Sequence, residues 1–79
     1  MSDPMGYVVA ARKAYEKAQI DARELVKRAR LDLGRAIRDA RRQDISQDAI
    51  VRELGLTREQ VRRFQREFED ASLRGEAGE

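Results

Sequence analysis

Apolar positions along the first part of the chain recur at alternating spacings of three and four: Val8, Ala11, Tyr15, Ala18, Ala22, Leu25 and Ala29. That alternation is the heptad seam of a coiled coil, so the segment reads as one long helix offering a face to another helix. Ser2 or Asp3 is the expected cap, and Pro4 stands in the first turn, where its missing amide costs nothing. No later proline interrupts the run before Gln43. Nearly forty helical residues at about 1.5 Å each make a rod of about 58 Å, more than one small domain covers.

Most seam positions are alanine, so Tyr15 and Leu25 would carry most of the buried area. The next heptad position is Asp32, and the apolar set has moved by then to Leu33, Ala36, Ile37 and Ala40. The expectation is that residues 8–29 form a dimer interface, whereas residues 33–40 face later helices of the same chain. A seam folded back on its own chain is the alternative, but no turn signal precedes Gly34. An interior glycine costs a helix about 1 kcal/mol relative to alanine, so Gly34 is the expected place for a bend or break.

From Ser46 to Arg66 the pattern shortens to two helices joined by a tight turn. Ser46 caps the first, Gln47 to Leu54, with Ile45 and Ile50 placed to close a hydrophobic staple. Gly55 ends it, because glycine enters the left-handed conformation without steric cost. Thr57 caps the second, Gln60 completes a capping box, and Leu56 can staple to Val61. This second helix is expected from Arg58 to about Ala71, with Val61, Phe64, Phe68 and Ala71 inward. Phe64 and Phe68 would pack on Ile37, Ile50 and Leu54 as a three-helix core; a base-stacking platform is the lesser reading. The chain divides into a dimerisation helix (1–32), a small domain (33–72) and a disordered acidic tail (73–79).

Composition narrows the chemistry. The chain has 79 residues, charged side chains make up 41%, and the net charge is +2. A single core is marginal at this size, and cysteine and histidine are both absent, which removes disulfides and the common zinc sites. Oligomerisation remains as the expected support, and no cofactor or metal is implied. Neither a signal peptide nor an apolar run of membrane length is legible, so a cytoplasmic, nucleoid-associated protein without a membrane partner is expected. No sheltered acid-base pair or nucleophile is visible, which points away from an enzyme.

Fourteen of the seventeen basic residues are arginine. Guanidinium suits phosphate and base-edge recognition, although a GC-rich genome produces the same bias. Thr57 to Arg66 holds four arginines against one glutamate. A helix fits the major groove, where its early residues approach base edges, so Thr57, Arg58, Glu59, Arg62 and Arg63 are the candidate base contacts. The alternative role for Glu59 is to serve the helix dipole alone. Ser46, Gln47, Arg38, Arg41, Arg42 and Arg66 are the candidate phosphate contacts. A solvated face with ion pairs to Glu59 and Glu67 is the plain alternative for the arginines.

Leu33-Gly34, Ile37-Arg38, Arg41, Ser46-Gln47, Ile50, Leu54-Gly55-Leu56-Thr57 and Val61 resemble the helix-turn-helix of phage-repressor-type regulators and of the promoter-reading domain of bacterial sigma factors. The resemblance covers residues 33–64. It implies sequence-specific binding of double-stranded DNA, read by the helix after Thr57. Val51 stands where those families place a small residue, and no helices follow the reading helix, so the sigma-like, three-helix version is the closer match. The expected protein is all-α: a small dimeric bacterial regulator of transcription. A coiled-coil adaptor for RNA polymerase or another regulator is the alternative.

Overall fold

The computed structural model describes residues 3–76; Ser2 as an alternative cap and the last three residues of the expected tail, 77–79, lie outside them. Among the described residues the chain is all-α, with α1 at Pro4–Arg42, α2 at Gln47–Leu54 and α3 at Arg58–Leu73. A rod carries a small head at one end. The radius of gyration is 19.0 Å and the extents are 66 × 29 × 16 Å, against a radius of about 12 Å for a compact chain of this length. No helix among the described residues is long and apolar enough to cross a membrane.

Asp3 caps α1 by accepting from the Met5 amide at 3.1 Å. Every described residue up to Arg30 is exposed, including Tyr15 at 64%. Arg12 to Glu16 at 2.9 Å and Lys17 to Asp21 at 3.1 Å are surface pairs one turn apart, each contributing about 0.2–0.5 kcal/mol to the helix.

The head begins where the apolar pattern shifts. Ile37, Ile50 and Val61, one from each helix, form the buried cluster, with Leu33, Ala40, Val51, Leu56 and Phe64 packed around it. Phe68 and Ala71 extend the burial along α3, each 1% exposed. Leu54 was expected in this core but is 41% exposed. It lies on the last turn of α2, and Leu56, beyond the turn, packs against the cluster instead.

Gly34 neither ends nor interrupts α1, contrary to the expected break. Its hydrogen matters for approach: a Cβ there would overlap the Phe64 carbonyl oxygen and lie 2.8 Å from Phe68 Cβ. Glycine is therefore what lets α3 cross α1 with backbone nearly in contact.

Both long helices close with the same pair of hydrogen bonds, the Schellman arrangement. At the end of α1 the Ile45 amide donates to Ala40 O at 3.1 Å and the Asp44 amide to Arg41 O at 3.2 Å, with Asp44 at φ 64 in the place glycine usually takes. At the end of α3 the Glu76 amide donates to Ala71 O at 2.8 Å and the Gly75 amide to Ser72 O at 3.0 Å. α3 thus continues two residues past the expected end, and 74–76 form its cap. The hydrogen bond from Arg74, with its charge, holds the Glu76 carboxyl below its ordinary pKa.

Candidate nucleic-acid interface

Three caps place this surface. Ser46 Oγ accepts from the Ala49 amide at 3.1 Å and so sets the start of α2. Gly55, at φ 66, turns the chain. Thr57 Oγ1 then accepts from the Gln60 amide at 3.1 Å while Gln60 Oε1 accepts from the Thr57 amide at 3.0 Å. The capping box fixes the first turn of α3, and Val61 beneath it fixes the rotation of the helix.

With Val61 and Phe68 inward, Arg58, Arg62, Gln65 and Glu69 fall at spacings of three and four along the flank that faces α2. There a shallow groove of about 290 Å³ is lined by Arg41 from the end of α1, Gln47 from the start of α2, and Arg62, Gln65, Arg66 and Glu69 from α3. Three guanidinium groups meet one carboxylate. Gln65 Nε2 donates to Glu69 Oε1 at 2.9 Å, and Arg41 donates to the Ile45 carbonyl at 3.3 Å. Among the described residues no carboxylate pairs with Arg62 or Arg66. Their charge is available to an incoming anion.

The remaining candidates are placed differently. Arg58 pairs with Asp48 across the turn, and Arg63 lies 3.8 Å from Glu59 on the same helix. Both are exposed, and these surface pairs are weak enough to exchange for another acceptor. Thr57 uses its hydroxyl oxygen in the cap. Arg42 sits beyond Glu69 in a separate depression with Arg38, Ser72 and Leu73.

Arg38 departs from the expected phosphate set. It is 8% exposed, its guanidinium lies 4.6 Å from the centroid of the Phe68 ring, and it donates to Asp39 Oδ1 at 2.7 Å. Stacked over an aromatic core residue and paired with Asp39, it keeps little exposed surface for a phosphate. Helical spacing in the sequence could have added Gln65 and Glu69 to the surface. Asp48 meeting Arg58 has no such signal, because the pair depends on how α2 and α3 cross.

No protein-family model, curated protein or solved structure matches the chain.

Proposed function

We propose that this chain is a sequence-specific double-stranded DNA-binding protein, a small dimeric regulator of transcription whose α2 and α3 act as a helix-turn-helix. α3 enters the major groove with Thr57, Arg58, Glu59, Arg62 and Arg63 near base edges. Ser46, Gln47, Arg41 and Arg66 meet phosphates beside it, and Arg42 reaches a neighbouring one. The observation that carries this reading is the groove in which Arg41 and Gln47 converge on Arg62 and Arg66, two arginines without a carboxylate partner among the described residues. A merely solvated face would pair those charges with the acidic residues that make up half of the charged set. Arg58 would exchange Asp48 for DNA on binding.

The long exposed stretch of α1 also suits a second reading, a coiled-coil adaptor whose small domain binds RNA polymerase or another regulator rather than DNA. One measurement separates the two. Titration of genomic fragments at a series of salt concentrations is expected to give a steep loss of affinity, each neutralised phosphate adding about 0.9 to the log-log slope. Arg41→Ala/Arg66→Ala should flatten that slope by about 1.8 per head. Wild-type protein without salt-sensitive binding would leave the adaptor reading in place.

A further inference from the structure

The apolar stripe of α1 continues past the point where the head begins. It runs at helical spacing from Val8 through Tyr15, Ala22, Val26 and Ala29 to Leu33 and Ala40. At the head it opens into an apolar groove of about 390 Å³ between α1 and α2. Leu33, Ala36 and Ala40 form one wall, while Ile45, Ala49 and Leu54 form the other. Ile45 and Leu54 are exposed there. At the far end of the same stripe Tyr7, Val8 and Tyr15 project with nothing of their own chain over them. One end of the stripe therefore carries large side chains, and the other carries a hollow.

Large side chains at one end fit the hollow at the other when unlike ends meet. α3 lies against α1 along Arg30, Gly34 and Arg38, a ridge about a third of a turn around the helix from the stripe. If two α1 helices pair antiparallel through their stripes, the two-fold axis stands normal to the plane of the pair, and both α3 helices lie on the same side. If they pair parallel, the axis runs along the rod and the α3 helices lie on opposite sides. The first arrangement presents both α3 helices on one side of the paired rods, and the second presents them at one end.

We propose that the stripe and its groove are the docking site for a second copy of this chain, running antiparallel, with the first three turns of the other copy's α1 seated between α1 and α2. Tyr7, Val8 and Ala11 fill the hollow beside Ala40, Ile45 and Leu54. A stable pair needs about 800 Å² from each copy, and the groove supplies apolar area that the alanine-rich seam at 8–29 lacks. Pairing Val8 with Ala40 and Tyr15 with Leu33 puts the two-fold axis beside residue 24. The two Gly34 crossings then stand about 30 Å apart along the rod, whereas a pair matched over residues 8–29 alone would put them about 46 Å apart. Adjacent half-sites on one face of DNA are about 34 Å apart, which suits the first register. The spacing argument rests on the DNA-binding reading, while the filling of the groove does not.

The chain has no cysteine, so introduced thiols report unambiguously. Val8→Cys, Ala29→Cys and Ala40→Cys are purified separately, mixed in pairs and mildly oxidised without DNA, with light scattering on each mixture. The expected result is a disulfide between Val8→Cys and Ala40→Cys at least tenfold above either variant alone. Ala11→Cys with Ala36→Cys repeats the test at an exposed groove position, should Ala40→Cys disturb the core. Val8→Cys linking to itself overturns the orientation, and a dominant link to Ala29→Cys overturns the insertion into the groove. A monomeric mass at tens of micromolar overturns the docking altogether. Because DNA is absent, an antiparallel pair that later shows no salt-sensitive binding refutes only the DNA reading.

Discussion

Residues 4–30 and 31–73 share a vocabulary of arginine, alanine, acidic side chains and occasional large apolar residues, but they solve opposite problems. In the head, Phe68 is 1% exposed beneath Gly34 and Arg38; in the rod, Tyr15 is 64% exposed and its hydroxyl accepts from Gln19 on its own helix. The head has three helices to share five buried apolar residues, and its turns are fixed by caps. The rod has a stripe, and α3 meets it only at its base, where Arg30 pairs with Glu67. In proteins a helix is stabilised mainly by packing of its apolar face rather than by propensity. The difference teaches that the head buries its own apolar residues, whereas the rod leaves its stripe exposed.

The comparison can be tested from each side. Leu25→Glu should have the largest effect on the rod, since a pair would bury the new carboxylate twice. Light scattering should fall from about twice the 9.1 kDa chain mass to a single chain, and helix content in residues 4–30 should fall with it. Hydrogen exchange should still protect the Val61 and Phe68 amides, because their cover comes from the same chain. If that protection vanished, the head would depend on the rod's partner and the contrast would collapse.

Gly34→Ala tests the head. Helix propensity alone gives alanine about 1 kcal/mol over glycine. Overlap with the Phe64 backbone opposes this gain, and forced overpacking costs about 1–3 kcal/mol on its own. The overlap involves backbone that cannot swing aside, so a net loss of about 1–2 kcal/mol in urea unfolding is expected. A stabilised variant would mean that α3 does not cross at Gly34. The smallest effect is Thr57→Ala, which removes one half of the capping box and should cost the head about 1 kcal/mol while leaving the mass unchanged.

Much of the fold was legible in advance because its signals are local. Ser46, Gly55, Thr57 and Gln60 each act within four residues, and the structure has them as cap, left-handed turn and capping box. The shift of the apolar set at Leu33 marked where α1 starts to face its own chain. Residues that went astray have roles set by contacts distant in sequence. Leu54 has the right spacing for a core position, but α2 turns it toward the open groove. Arg38 reads as one of three alike arginines, and only the position of the Phe68 ring separates it from Arg41 and Arg42. At the candidate interface the arginines were identifiable by helical period, whereas the pairing of Arg58 with Asp48 was not.

The sequence by itself determined the three helices, their caps and the basic face of the last one, since propensity, capping and periodicity operate over one or two turns. Only the tertiary structure decided that Gly34 is a crossing point rather than a break, that Arg41, Gln47, Arg62 and Arg66 line one groove, and that the stripe of α1 ends in a hollow. Each of those depends on the angle and closeness with which helices cross, and that is set by side chains thirty residues apart meeting in space.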